Sequence, residues 1–374
     1  MLAESLNRHC RRYRDSWARR KGAGVAGVFA CLLAGAGSAQ DWDVPPRAVP
    51  PPKAASEQLS EHLASLPTPD VAAAVLAVPA DRAGWIALAR MIDQQWIEQT
   101  DALAATLPVS AAEDRIAGVR VHRLTPAQPD PRFANMVYLD LHGGAYVFGR
   151  GSGALREALL VADRVGVEVV AVDYRMPPIA EPFPAALDDA LTVYLELVAE
   201  YGSENIAVGG TSAGGGLTLA LVHRLQALEL PLPAALYVGT PWADLTKTGD
   251  TQFTNEGIDN ILVTWDGTLG AAAALYVGVN DWRDPLLSPV YGDFTEFPPT
   301  MLVSGTRDLF LSDVVRVHRA LRAANVDADL HVYEGLAHAE YYILENSPES
   351  SDTYRELKAF LLNHLTGDEP EAQP

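Results

Sequence analysis

Gly210-Thr211-Ser212-Ala213-Gly214 constrains this chain more than any other stretch. It follows the apolar run Asn205-Ile206-Ala207-Val208-Gly209 and opens an apolar-periodic segment from Gly215 to Leu230, which is the order strand, sharp turn, helix. A serine on such a turn sits in a strained backbone with its Oγ pushed out above the sheet. The glycines answer a steric demand, because a Cβ there would strike the neighbouring strand or helix. A serine hydroxyl is a weak nucleophile at neutral pH. Chemistry at this turn therefore needs a general base in hydrogen-bond reach and a third group that orients the base.

The chain offers one of each. Asp308 follows the apolar run Thr300-Met301-Leu302-Val303 within Ser304-Gly305-Thr306-Arg307-Asp308, and His338 follows the alternating run Asp329-Leu330-His331-Val332-Tyr333 within Glu334-Gly335-Leu336-Ala337-His338. Loops at the C-terminal ends of parallel strands are where open α/β sheets gather their chemistry, so three such loops can bring Ser212, Asp308 and His338 together. The order Ser, Asp, His is the one that the α/β-hydrolase sheet imposes. Acyl transfer also needs donors aimed at the developing oxyanion. The strand-like Asn135-Met136-Val137-Tyr138-Leu139-Asp140-Leu141 runs into His142-Gly143-Gly144-Ala145-Tyr146. The amides of Gly143, Gly144 and Ala145 are candidate donors on one side, and that of Ala213 on the other.

With these residues assembled, the chain resembles the hormone-sensitive-lipase-like bacterial esterases of the α/β-hydrolase superfamily over roughly residues 116–366. The resemblance rests on His142-Gly143-Gly144-Ala145, Asp173-Tyr174-Arg175, Gly210-Thr211-Ser212-Ala213-Gly214-Gly215, and Gly305-Thr306-Arg307-Asp308 with His338; Pro182-Phe183-Pro184-Ala185-Ala186-Leu187-Asp188-Asp189-Ala190 is similar to the family's helix entry. It implies an α/β-hydrolase fold, a mostly parallel central sheet flanked by helices with a helical cap, and a carboxylic-ester hydrolase that needs no metal or organic cofactor. It also implies a structural role for His142 and a structural pair between Asp173 and Arg175. Ala145 departs from the family's third glycine; an alanine still offers its N–H if its φ is negative, so we expect a narrower pocket floor rather than a lost donor.

Residues 1–39 stand apart. Seven Lys/Arg precede an apolar run from Val25 to Ala36, closing with Gly37-Ser38-Ala39. This is an export-signal pattern with cleavage near Ala39, too short to span a bilayer, and it implies a periplasmic or secreted protein without a stable membrane anchor. Arg11-Arg12 and Arg19-Arg20 leave the choice between general and twin-arginine export open. Both cysteines, Cys10 and Cys31, fall inside it, so the mature chain needs no disulfide and has no thiol chemistry. Removing this segment takes seven of 28 basic and two of 48 acidic residues, leaving 21 against 46 and a formal charge of −25. Nucleic acid is thereby excluded as a partner. A small-molecule ester is the expected one, and the oligomeric state, a homodimer included, stays open.

The proline-rich residues 40–55 read as an extended, unpacked linker. Residues 56–115 read as an N-terminal helical cap segment, in which Trp85, Met91 or Trp96 is placed to touch a substrate. Residues 116–370 form the catalytic domain, with strands near 118–124, 135–141, 167–173, 205–209, 234–239, 300–304 and 329–333. The insertion around 241–299 is the expected source of selectivity. Gly149-Arg150-Gly151-Ser152-Gly153 reads as a loop into a helix, since it lacks nucleotide-binding spacing. Asp313 is the rival to Asp308 and otherwise an N-cap, while Glu340 is a surface charge or a pocket-rim residue. The function expected is serine-dependent hydrolysis of short to medium acyl esters. Lactone or amide hydrolysis uses the same machinery, and a non-catalytic binder is opposed by the presence of both Asp308 and His338.

Overall fold

Parallel strands need long crossovers, and the apolar runs of this chain are spaced to supply them. The computed structural model describes residues 47–365; the export pattern and both cysteines lie outside them. From Val49 onward the chain forms one unit. Its strands are β1 (Val109–Ile116), β2 (Val119–Pro126), β3 (Val137–Leu141), β4 (Glu168–Val172), β5 (Ile206–Thr211), β6 (Ala235–Gly239), β7 (Thr300–Gly305) and β8 (Ala328–Tyr333). They lie in the order β1-β2-β4-β3-β5-β6-β7-β8. β1 and β2 form an antiparallel hairpin, β2 pairs antiparallel with β4, and the remaining pairs are parallel.

Every residue of β3, β5, β6 and β7 is buried, because helices cover both faces. Alternation sorts their side chains between two cores. Val137, Leu139 and Leu141 join the face covered by α5 (Ala185–Tyr201), α6 (Ala213–Ala227) and α8 (Leu311–Ala323). Tyr138 joins the opposite face, under α4 (Arg156–Val165) and α9 (Pro348–Leu365). Each fully buried Val or Leu contributes about 1.5–3 kcal/mol, so the sheet is stiff where its C-terminal ends must hold loops in place.

The N-terminal helices are α1 (Glu57–Ser65), α2 (Val71–Leu76) and α3 (Arg82–Ala104), capped by Ser56, Asp70 and Asp81. In the insertion, α7 (Gly270–Val277) adds Tyr276 to the core. Among the described residues no helix is long and apolar enough to cross a membrane.

Two expectations fail here. β1 occupies part of the segment read as helical; all of its residues between Val109 and Ile116 are exposed, so this edge strand carries no apolar alternation to betray it. The proline-rich stretch is extended but not unpacked. Arg307 donates to the Pro50 carbonyl at 2.6 Å, and Pro52 is buried against Gly335, where an added Cβ would lie 2.4 Å from its Cγ.

Candidate active site

β5 ends at Thr211 and α6 begins at Ala213, which leaves Ser212 alone at φ 63°, ψ −123°. A side-chain-bearing residue there costs on the order of 1–3 kcal/mol and persists only when its surroundings fix it. Ser212 N–H donates to Gly239 O at 2.9 Å, and Ser212 O accepts from Gly216 N–H at 3.0 Å and Trp242 N–H at 2.9 Å. The end of β3 presses on the same turn. A Cβ on Gly210 would lie 1.9 Å, and one on Gly214 1.7 Å, from Leu141 O.

The loops after β7 and β8 bring Asp308 and His338 into contact in the interior. Asp308 is fully buried and His338 is 3% exposed. Asp308 Oδ1 accepts from Phe310 N–H at 2.8 Å and lies 3.2 Å from His338 Nδ1. Its Oδ2 accepts from Ser304 Oγ at 2.8 Å and from Thr240 Oγ1. Thr240 Oγ1 also lies 2.9 Å from His338 Nδ1. A threonine hydroxyl carries one proton. With that proton on Asp308, Thr240 is left to accept from Nδ1–H, and so is Asp308 Oδ1. Both partners place the imidazole proton on Nδ1 and leave Nε2 with its lone pair, with Phe310 and the ring meeting at a steep angle, centroids 4.9 Å apart.

Ser212 joins this pair through β6. Its N–H is bonded to Gly239, and the next residue is Thr240, which contacts both His338 and Asp308. Among the described residues neither Ser212 Oγ nor His338 Nε2 has a hydrogen-bond partner.

Gly143 packs on Ser212, since a Cβ there would lie 3.3 Å from Ser212 Cβ. Among the described residues the N–H groups of Gly143, Gly144, Ala145 and Ala213 meet no acceptor. Gly144 has φ +110°, and a Cβ on it would lie 2.2 Å from Phe148 O, because Val147 and Phe148 N–H close a tight turn onto Gly144 O. That turn carries Ala145 and Tyr146 to φ 54° and 59°, contrary to the negative φ on which the expectation for Ala145 rested. The N–H survives, but its direction differs from the one an extended residue would give. His142 is buried, 4% exposed. Its ring stacks on Tyr174 at 4.1 Å, Tyr174 OH donates to His142 O at 2.6 Å, and burial lowers the imidazole pKa.

Several supporting residues escaped the sequence reading. Asp93 of α3 accepts from Gly149 N–H at 2.8 Å and pairs with Arg150 at 3.1 Å, anchoring the loop after Gly144. Asp259 accepts from Leu309 N–H at 2.8 Å beside Asp308; burial, then the Asp308 charge, push its carboxyl up to about 6. Asp173 and Arg175 do not pair with each other. Asp173 binds Arg120 at 2.5 Å and Arg175 binds Asp189 at 2.8 Å. Glu340 is neither surface charge nor rim but fully buried, accepting from Ala337 N–H at 2.7 Å and Asn260 at 2.8 Å. Asp313 is no N-cap. It lies inside α8, buried, and accepts from Asp244 N–H at 3.0 Å. Among the described residues no cluster of His, Cys, Asp or Glu is arranged to hold a metal.

A cavity of about 800 Å³ opens beside Gly143, walled by Trp96 and Leu103 of α3, Ile261 of the insertion, and Tyr342 and Ile343 after His338. Of the three cap residues expected to touch substrate, only Trp96 lines it; Trp85 is buried near Phe148, and Met91 is 60% exposed.

A model of the α/β hydrolase fold matches residues 138–342. The crystal structure of esterase E25 superposes with a TM-score of 0.85 at 43% identity, covering 87% of this chain and 99% of that one. The chain belongs to the hormone-sensitive-lipase-like esterases. An esterase described as from the bacterial hormone-sensitive lipase family also superposes, with a TM-score of 0.67 at 28% identity, covering 83% of this chain and 99% of that one. An acetyl-hydrolase of Streptomyces hygroscopicus is 32% identical over 238 residues, 63% of this chain and 77% of its own.

Proposed function

We propose that the protein is a serine carboxylic-ester hydrolase that acts on short to medium acyl esters through an acyl-enzyme. The observation that carries this reading is the buried Asp308–His338 contact, whose Nδ1 is occupied from two sides while Nε2 is left free, with the strained Ser212 tied to Gly239, the residue beside Thr240. Membership of an esterase family, and an acetyl-hydrolase among the relatives, support ester substrates.

In this mechanism Ser212 Oγ attacks the ester carbonyl while His338 Nε2 takes its proton. Asp308 stabilises the imidazolium and holds the ring. The oxyanion forms against the amides of Gly143, Gly144, Ala145 and Ala213, each such donor being worth about 2.7–4 kcal/mol in the transition state. His338 returns the proton to the leaving alcohol, and water then repeats the sequence on the acyl-enzyme. The cavity beside Gly143 has the size of a small-molecule pocket. The export pattern of the sequence supports a reaction in the periplasm or outside the cell. Ser212→Ala should lower turnover of an activated butyrate ester by roughly a thousandfold or more while the chain still unfolds cooperatively; unchanged turnover refutes the assignment.

A further inference from the structure

On the α4 and α9 face of the sheet, directly beneath the nucleophile turn, lies a buried polar cluster that the mechanism above does not use. Glu157, in the first turn of α4, is 5% exposed, and its Oε1 accepts from Thr211 Oγ1 at 2.7 Å. Thr211 Oγ1 is also 2.6 Å from Tyr341 OH. Since the single Thr211 proton goes to the carboxylate, Tyr341 must donate to Thr211, and the relay runs Tyr341 to Thr211 to Glu157.

Its three members belong to the three segments that must converge. Thr211 immediately precedes Ser212. Tyr341 lies three residues beyond His338, and Glu157 stands on the helix entered from the oxyanion loop. β6 makes room for the relay. A Cβ on Gly239 would lie 1.9 Å from Tyr341 OH and 2.3 Å from Thr211 Oγ1. A glycine at the end of a central strand weakens it unless something must approach closely, and here the approaching groups are these two hydroxyls.

We propose that Glu157 is a positioning residue for the nucleophile: by accepting the Thr211 proton it fixes the relay and sets the place of Ser212 relative to His338 and the oxyanion amides. The proposal rests on the serine-esterase reading. It carries a pH consequence, because a protonated Glu157 no longer requires the Thr211 proton and the relay loses its direction. Burial pushes the Glu157 carboxyl up to about 7, opposed by the Thr211 hydrogen bond. The groups facing it are Tyr138 and Asp140 on β3, the latter raised by burial and by Glu157, Tyr237 on β6, Tyr341 and Tyr342 after His338, Tyr354 on α9 and the neighbouring Arg156. The tyrosines stay neutral in the working range, since burial raises each of them.

The test is steady-state hydrolysis of p-nitrophenyl butyrate across roughly pH 5 to 9 by the full chain and its Glu157→Ala, Glu157→Gln and Thr211→Val variants, with thermal unfolding of each. Misplacement of a reacting group by about 1 Å can cost about a hundredfold. Glu157→Ala and Thr211→Val should therefore lose about tenfold to a hundredfold in kcat with KM changed by no more than about twofold. Combining Glu157→Ala with Thr211→Val should be no worse than the poorer single. Glu157→Gln, whose carbonyl still accepts from Thr211, should restore most of the kcat lost in Glu157→Ala, and its acid limb should need one ionisation where the wild type needs two. Folded variants with wild-type kcat, additive losses, or a Glu157→Gln profile identical to the wild type would overturn the proposal. Should Glu157→Ala fail to fold, the other two variants decide. A wild-type chain left unlabelled at Ser212 by an organophosphonate sinks the serine reading and this proposal together, whereas a labelled wild type with unaffected variants sinks the proposal alone.

Discussion

Replacing Asp308 by Asn separates the charge of a buried carboxylate from its shape. Asp308 meets four donors, Phe310 N–H and His338 Nδ1–H at Oδ1 and the hydroxyls of Ser304 and Thr240 at Oδ2. An amide with its oxygen at Oδ1 keeps the first two. Its NH₂ then faces two hydroxyl oxygens that can rotate to accept, so every polar atom retains a partner and the stability loss should stay within about 1–3 kcal/mol. Catalysis does not escape so lightly. The imidazolium formed during attack loses its counter-charge, and the freed Thr240 proton can turn toward Nδ1, 2.9 Å away, favouring the tautomer with its proton on Nε2. In serine hydrolases of this design the wrong tautomer costs about 10⁴ in kcat, which is about 5 kcal/mol. The assay is kcat and KM for an activated short-chain ester beside thermal unfolding. A folded Asp308→Asn enzyme within tenfold of wild-type kcat would refute the role given to this carboxylate.

Two further outcomes follow from the same geometry. Gly144→Ala puts a Cβ 2.2 Å from Phe148 O at φ +110°, so the oxyanion loop must shift; kcat should fall about 10²–10³-fold with a stability loss of about 1–3 kcal/mol, and wild-type kinetics would show that these amides are not used. For Glu157→Gln the effect is one of pH. The wild-type carboxyl is raised from 4.5 to about 7, so the unfolded chain gives up this proton at lower pH than the folded chain does. Stability therefore declines as pH rises from about 4.5 to about 7, by up to about 3 kcal/mol, and is level above. Glutamine does not titrate. Urea unfolding across that range should show the wild type losing ground against the variant, and a constant or opposite difference would contradict the burial argument.

What the sequence disclosed and what it hid divide along physical lines. Ser212 and Asp308 were legible because each follows a buried parallel strand with an apolar run, and His338 because it follows the alternating run of the partly exposed edge strand β8; such runs mark where a loop begins. The strands from β2 onward were legible from such apolar or alternating runs, whereas β1 is exposed along an edge and has no such signature. Thr240, Asp93, Glu157 and Asp259 were not legible, since each is a single polar residue whose partners come from distant segments; no spacing announces a hydroxyl that bridges Asp308 and His338. Asp173 and Arg175 misled because they lie close in the chain, yet β4 ends at Val172 and each turns to a different partner. Pro50 and Pro52 advertise extended backbone, but composition says nothing of the groove between Arg307 and Gly335 that receives them. At Ala145 the chemistry was readable and the backbone was not, because the closing bonds to Gly144 O set its φ.

The most direct measurement is to mix the full chain with an activated butyrate ester, quench in acid during the first turnover, and locate the added acyl mass by peptide mass spectrometry. The account predicts a butyryl group on the peptide that contains Ser212, formed as fast as the first alcohol is released. Alcohol release at full rate with the acyl group on another residue, or on none, would contradict it.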